Sequence, residues 1–130
     1  MKKLQQINTV TAPKAVGPYS QAIKVDKFVF CSGQIGLEPK TNTLVEGGVE
    51  KEAEQTLKNL SAVLEAAGLS FKNVIRTDIF LTNINDFSKV NEIYGKHFSK
   101  DPKPARQTVE VSKLPKGANI EVSCIAYKGN

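Results

Sequence analysis

The clearest structural signal in this chain is residues 49–68, VEKEAEQTLKNLSAVLEAAG. Apolar side chains recur there at steps of three and four, which places them on one face of a helix. They are Val49, Ala53, Leu57, Leu60, Val63, Leu64 and Ala67. Glu50, Glu52 and Glu54 occupy the first turns, where the helix dipole favours negative charge. The pattern predicts a long amphipathic helix that begins at Val49 and ends at a glycine cap, Gly68.

Strand-like runs lie on both sides of this helix. The predicted strands cover about residues 3–8, 22–25, 28–33, 73–81, 106–112 and 119–128. Turn residues at 26–27 favour a hairpin between the second and third strands, and residues 114–117, LPKG, favour another between the last two. A second helix is predicted from about Asp86 to Phe98, with Asp86 or Asn85 as its N-terminal cap. Its predicted inner stripe is Phe87, Val90, Tyr94 and Phe98.

The order of strands, helix, strand, helix and strands predicts an α+β two-layer sandwich. We expect one domain over residues 1–130, in which two helices cover one face of a mixed sheet of about six strands. The other face is only partly polar, because Ile125 and Tyr127 share it with Ser123 and Glu121. A half-apolar open face favours self-association, so we expect a homo-oligomer with facing sheets.

The composition is that of a soluble globular protein, with 40% hydrophobic residues, 24% charged residues and a formal net charge of +5. The basic residues are scattered and adjacent only at Lys2-Lys3, so nucleic acid is not expected as a partner. Residues 1–8 lack the apolar core of a signal peptide. No apolar run approaches the ~18 residues that span a bilayer. We therefore expect a cytoplasmic protein that does not enter membranes.

Metal and cofactor motifs are not found in the sequence. Cys31 and Cys124 lie in apolar strand-like runs, and one histidine, His97, cannot complete a zinc site with them. Gly47-Gly48 precede the long helix without the lysine and spacing of a phosphate-binding loop. We expect two buried reduced thiols, a structural His97, no metal and no cofactor.

Arg106 is the leading candidate for a binding residue. It lies at the start of a predicted strand whose alternation places Arg106, Thr108 and Glu110 on one face. Gln107 and Val109 then face the other way. A planar guanidinium fork suits a carboxylate or phosphate held by two parallel hydrogen bonds. A solvated surface charge or a rim ion pair is the alternative at such a position.

Glu121 is the acidic candidate. In a simple hairpin of the last two strands, Glu110 would oppose Glu121, and Arg106 would lie roughly 13 Å from that pair at ~3.3 Å per residue. Arg106 and Glu121 would then meet only through a bulge or across subunits. Glu121 is compatible with a water-facing surface acid, or with a carboxylate that holds a water or takes its proton.

Seven stretches, in order and at matching spacing, resemble the YjgF/Rid family of enamine/imine deaminases. They are residues 16–22 (VGPYSQA), 32–36 (SGQIG), 64–68 (LEAAG), 84–94 (INDF through VNEIY), 104–106 (PAR), 114–117 (LPKG) and 120–122 (IEV). The resemblance covers nearly the whole chain. It implies a chorismate-mutase-like fold and a homotrimer with a central barrel and sites in the clefts between subunits.

The resemblance also implies an activity and its residues. The activity is hydrolysis of 2-iminobutanoate and 2-iminopropanoate to 2-oxo acids and ammonia, without metal or organic cofactor. A small 2-imino or 2-oxo acid is then the ligand. Arg106 matches the arginine that grips the substrate carboxylate, and Glu121 matches the acid that positions water or transfers a proton. Other cleft-lining positions match Tyr19, Ser32, Gly33 and Asn91.

Two positions depart from the family pattern. Deaminase members commonly carry a small residue after the arginine and a cysteine one further on, where this chain has Gln107 and Thr108. Gln107 is expected to face away from the cleft. Thr108 shares the face of Arg106, so it suffices if the family role is played by the backbone carbonyl, whereas a required thiol would weaken activity.

Two other classes of function stay open from the sequence. One is an endoribonuclease or translation inhibitor, an activity attributed to some family members, although no histidine acid–base pair supports it. The other is a non-enzymatic binder of small carboxylates or a holdase-type chaperone, since Arg106 fits binding as well as catalysis.

Overall fold

The computed structural model describes residues 3–129, in which every predicted strand and helix is present with bounds that differ by two residues or fewer. Its elements are β1 Gln5–Ile7, β2 Ala22–Val25, β3 Phe28–Gln34, β4 Leu37–Glu38, β5 Thr43–Leu44, α1 Gly48–Ala66, β6 Val74–Leu81, α2 Phe87–His97, β7 Ala105–Glu110 and β8 Ile120–Tyr127. The short β4–β5 hairpin was not predicted. The single domain over residues 1–130 stays a prediction, and residues 1, 2 and 130 lie outside the described range.

Six strands form one mixed sheet in the order β1-β2-β3-β8-β6-β7. All neighbouring pairs are antiparallel except β6 and β7, which are parallel. The α2 helix joins these two strands, as a parallel pair requires a crossover connection. The predicted α+β sandwich with a mixed six-stranded sheet is confirmed, as is the hairpin between β2 and β3.

The predicted hairpin between the last two strands is wrong, because β6 lies between β7 and β8. β6 pairs with β8 along one edge and with β7, the strand that follows α2, along the other. The chain then passes the end of β6 before it enters β8, and the backbone N–H of Val111 donates to the carbonyl of Leu81 at 2.8 Å. Residues 115–117 do form a tight turn, with positive φ at Lys116 and Gly117.

The predicted stripe of α1 packs on the sheet. Its buried apolar residues are Ala53, Leu57, Leu60, Val63 and Leu64, and they meet the inward-facing residues of β8, Val122, Cys124 and Ala126. Gly68 ends the helix with φ of 78°, a conformation that favours glycine. Glu52, one of the three acids predicted in the first turns of this helix, is buried.

The α2 helix buries Val90, Ile93 and Tyr94. The predicted inner position of Phe87 is wrong, since its side chain is 36% exposed. Asp86 occupies the N-cap position but makes no side-chain capping hydrogen bond. Asn83 accepts a hydrogen bond from the Asn85 backbone instead, because a 3₁₀ turn precedes the helix.

The sheet face away from the helices carries exposed apolar residues. Phe28 contacts both Phe30 and Tyr127, with ring centroids 6.2 and 5.1 Å apart. All three rings are more than a third exposed. The face also carries the Arg76–Asp78 ion pair at 3.0 Å. This mixture of apolar and charged groups is typical of a surface that another chain covers.

Both cysteines are buried free thiols, as predicted. Cys31 on β3 lies directly opposite Cys124 on β8. The hydrogen bond with Cys31 and burial raise the pKa of the Cys124 thiol far above its ordinary value. A thiol held in its protonated form is a poor nucleophile, so this pair belongs to the core.

Candidate active site

A β-bulge at Ser32 and Gly33 is the local feature around which the cleft forms. Cys31 pairs with Cys124 and Gln34 pairs with Val122, so β3 has one residue more than β8 across this interval. A bulge bends its strand and re-aims side chains, and bulges are frequent beside active sites. A glycine inside a strand-like run was the sequence signal for it.

The bulge ties the loop containing Tyr19 to the sheet. The Ser32 hydroxyl donates to the carbonyl of Ser20 at 2.6 Å, and the Ser32 backbone N–H donates to the carbonyl of Gln21 at 2.9 Å. Tyr19 is 52% exposed, and its hydroxyl accepts a hydrogen bond from the Val16 N–H at 3.4 Å. The Ser32 proton is already used within the protein, so its oxygen is available to a ligand only as an acceptor.

The Glu121 carboxylate rests against Gly33. A Cβ placed on Gly33 would lie 2.5 Å from Glu121 Oε2 and 2.8 Å from Cδ, so only glycine leaves room for the acid in this position. Burial raises the pKa of Glu121 above its ordinary value. Within residues 3–129 its oxygens accept no hydrogen bond. A half-buried carboxyl with free lone pairs can exchange a proton with a bound water.

These residues line one cleft of about 450 Å³. Of the predicted site residues, the structure brings Tyr19, Ser32, Gly33 and Glu121 together here. Lys14 and Lys116 also line it, and the sequence analysis did not identify them. Surface lysines are common, and neither position carried a motif that would have distinguished it.

Two buried polar side chains support the cleft from behind. Glu52 accepts hydrogen bonds from the backbone N–H of Asn119 at 2.7 Å and from its side-chain amide at 2.5 Å, two residues before Glu121. Gln21 fastens the loop before Lys14: its amide donates to the Pro13 carbonyl at 2.8 Å. The sequence carried no signal for this role of Glu52: it shares a helix row with the polar residues Thr56 and Asn59, and only the structure shows that all three are buried.

The other predicted residues, Asn91, Arg106 and Thr108, lie elsewhere. Arg106 Nη1 donates to Asn91 Oδ1 at 2.7 Å. The guanidinium carbon lies 5.0 Å from the ring centroid of Tyr94 and 5.5 Å from that of Phe87. Asn91 occupies one of five N–H groups, so an exposed cationic fork remains for a carboxylate.

Thr108 lies two residues after Arg106 on the same sheet face. Its hydroxyl oxygen is buried and has no hydrogen-bond partner within residues 3–129. Buried hydroxyl groups are usually paired, so an unpaired one near the candidate Arg106 is compatible with a partner that arrives with the ligand or with another chain.

Arg106 and Glu121 belong to opposite faces of the sheet. Arg106 is level with Thr77, which is buried beneath the helices, whereas Glu121 is level with Phe80 on the open face. Two strand spacings of ~4.8 Å and three residues of ~3.3 Å separate them by about 14 Å. The predicted pairing of Glu110 with Glu121 is wrong, but the conclusion that one chain does not unite Arg106 with Glu121 holds.

Residues 3–129 hold no group of three His, Cys, Asp or Glu residues placed to bind a metal ion. None of the helices in this range combines the length and apolarity needed to cross a bilayer. His97 does not line the cleft and packs edge-on against Phe71, with ring centroids 5.7 Å apart.

The fold and these two groups of residues define an α+β protein with a cationic anchor on one sheet face and an acid-lined cleft on the other. A family model described as Endoribonuclease L-PSP matches residues 9–128. The chain therefore belongs to this family, also called YjgF/Rid, as its sequence motifs predicted.

Curated relatives and solved structures agree with this membership. The human protein named 2-iminobutanoate/2-iminopropanoate deaminase is 50% identical over 123 residues, which cover 95% of this chain and 89% of the human one. A Rid-family protein from Yersinia pestis is 49% identical with a TM-score of 0.93 and coverage of 96% and 99%. Escherichia coli TdcF with bound serine is 37% identical with a TM-score of 0.90, covering 96% and 99%.

Proposed function

We propose that this protein hydrolyses 2-iminobutanoate and 2-iminopropanoate to the 2-oxo acids and ammonia. The observation that carries the proposal is the Arg106 guanidinium, exposed and held by Asn91 with most of its donors unused. A small 2-imino acid presents one carboxylate, and this fork matches it in charge and geometry. Four mammalian relatives that are 46–50% identical carry the name of this deaminase.

The chemistry needs one water and the movement of two protons. Water adds to C2 of the imine, and one of its protons passes to the nitrogen to give an amino alcohol. The second proton then moves from the hydroxyl to the nitrogen, and the C–N bond breaks as ammonia leaves. Glu121 serves as the proton shuttle, because its pKa is raised toward neutral pH, where a carboxyl group can both accept and donate a proton.

The cleft is completed by a second copy of the chain. One copy supplies Arg106, Asn91 and the Thr108 hydroxyl, and its neighbour supplies Glu121 with the Tyr19, Ser32 and Gly33 wall. The separation of these groups on opposite sheet faces supports this arrangement. We infer a homotrimer, the assembly implied by the family motifs, in which the exposed apolar rings of the open face are covered.

The setting we propose is the cytoplasm, where dehydration of threonine or serine generates such imines. Two buried free thiols are typical of a reducing compartment. The TdcF structure holds serine, so a small amino-acid-like ligand fits a relative of this chain. Fractionation of cells that make the tagged protein tests the location, and its recovery outside the cytoplasm would contradict it.

Ammonia release measures the proposed activity. A threonine dehydratase supplies 2-iminobutanoate, and the protein is expected to accelerate the release of ammonia and 2-oxobutanoate. Arg106→Ala and Glu121→Gln should each abolish the acceleration, and Thr108→Val should reduce it. No acceleration by the wild-type protein, or full activity in the arginine variant, contradicts the proposal.

The family description also raises RNA cleavage, which the same variants separate from deamination. His97 is the one histidine of the chain and lies away from the cleft, so the acid–base pair typical of a ribonuclease is not formed there. RNA cleavage that persists through repurification and disappears in Glu121→Gln would support the ribonuclease function instead.

A further inference from the structure

One face of α2 surrounds the guanidinium of Arg106. Phe87, Asn91 and Tyr94 follow one another at steps of four and three residues, which places them on one helix face. Asn91 accepts one hydrogen bond at 2.7 Å, and the rings of Tyr94 and Phe87 lie 5.0 and 5.5 Å from the guanidinium carbon. Both ring distances are within the range of cation–π attraction.

Tyr94 is the fixed member of this group. Its hydroxyl shares a hydrogen bond of 2.8 Å with the hydroxyl of Thr77, which is fully buried in β6. Its ring also stacks on Phe98 with centroids 4.2 Å apart. Tyr94 therefore links the buried centre of the sheet to the side chain of Arg106, which lies on the edge strand β7.

A single hydrogen bond does not define the direction of a guanidinium. With Asn91 alone, the group could still turn about the line from Nη1 to Oδ1. Contact with two aromatic rings restricts this rotation, because the cation is attracted to the ring faces. The edge of the fork left for the substrate carboxylate then points in one direction.

We propose that Tyr94 and Phe87 are positioning residues, which set the plane of Arg106 so that it receives the carboxylate of the 2-imino acid with both donors aligned. The proposal rests on the proposed function for the identity of that ligand. In this proposal the side chains of α2 orient the bound carboxylate, whereas the positive charge that attracts it comes from Arg106 on β7.

The test measures binding of 2-oxobutanoate by calorimetry and the KM and kcat for 2-iminobutanoate. Phe87→Leu and Tyr94→Leu are each expected to raise Kd and KM by about three- to tenfold, with a smaller change in kcat. Tyr94→Phe keeps the ring and is expected to stay within about twofold of the wild-type Kd. Phe87 is partly exposed, so Phe87→Leu is expected to fold and to give a Kd and KM even if Tyr94→Leu fails to fold.

A double-mutant cycle separates positioning from general packing. If Tyr94 acts through Arg106, then Tyr94→Leu adds nothing to the loss of affinity already present in Arg106→Ala. A purely structural role would lower the melting temperature and repeat its effect in both backgrounds. Unchanged Kd and KM in the Phe87 and Tyr94 variants, or equal losses in both backgrounds, overturn the inference.

The outcomes also distinguish this inference from the function on which it rests. Wild-type protein that binds 2-oxobutanoate through Arg106 but releases no ammonia removes the deaminase and leaves the positioning role. Wild-type turnover with unaffected ring variants removes only the positioning role. No binding of 2-oxobutanoate by the wild-type protein overturns both.

Discussion

Subunit complementation tests the division of the cleft between two copies. Arg106→Ala removes the proposed carboxylate anchor from one sheet face, and Glu121→Gln removes the proposed proton shuttle from the other. Each variant alone is expected to be inactive. When both chains assemble together, some clefts receive an intact Arg106 from one copy and an intact Glu121 from another, so activity returns.

The geometry sets the size of the recovery. Arg106 and Glu121 lie on opposite sheet faces, about 14 Å apart by strand spacing, and in the proposed assembly each cleft takes them from different chains. In an equal random mixture, each group is intact in half of the copies. Both are therefore intact in about a quarter of the clefts, whatever the closed symmetry of the oligomer.

The assay is ammonia release by the co-refolded mixture, with native mass spectrometry to demonstrate mixed oligomers. Arg106→Ala mixed with the chain that carries both substitutions is the matched control, because no cleft in that mixture regains an arginine. Mixed oligomers that show no recovery beyond this control would refute the argument from the two sheet faces.

Three further outcomes follow from the cleft. Burial raises the pKa of Glu121, so the folded state binds that proton more tightly than the unfolded state, and the wild-type protein becomes more stable as pH falls through the raised pKa. Thermal unfolding should therefore show Glu121→Gln to be at least as stable as the wild type at neutral pH. This advantage of the variant should shrink on acidification. Gly33→Ala should displace the Glu121 carboxylate and lower kcat about tenfold or more, with little change in melting temperature. Gly95 has open space around it, so Gly95→Ala is the control and should leave kcat unchanged. Glu52→Ala buries no carboxylate but leaves the two partly buried amide donors of Asn119 unpaired, and it should lower the free energy of unfolding by about 2–4 kcal/mol in urea titrations, against a near-zero change for the exposed Glu54→Ala.

The helices and strands follow from local chemistry that the sequence displays. The apolar period of α1, the glycine cap at Gly68 and the alternation in β7 and β8 are properties of neighbouring residues, and the structure reproduces them. Strand order is not a local property. The turn at residues 115–117 is tight, yet β7 and β8 are separated by β6, because strand order depends on contacts between residues far apart in the sequence.

The same distinction applies to the cleft. Arg106 and Glu121 could be identified from residue type and family motifs, but the faces that they occupy required the register of β6 with both neighbours. The β-bulge that places Gly33 beside Glu121 showed in the sequence only as a glycine within a predicted strand. Glu52 was interpreted as a dipole partner, although it accepts hydrogen bonds from the two amide groups of Asn119, 67 residues away, a contact that no local pattern encodes.

A crystal structure of the protein with 2-oxobutanoate would distinguish a cleft shared between two copies from one held by a single copy. We expect the ligand carboxylate to lie on the guanidinium of Arg106 of one copy, with C2 facing the Glu121 carboxyl of a neighbouring copy across the cleft. A ligand bound away from Arg106, or held by residues of a single copy, would contradict this expectation.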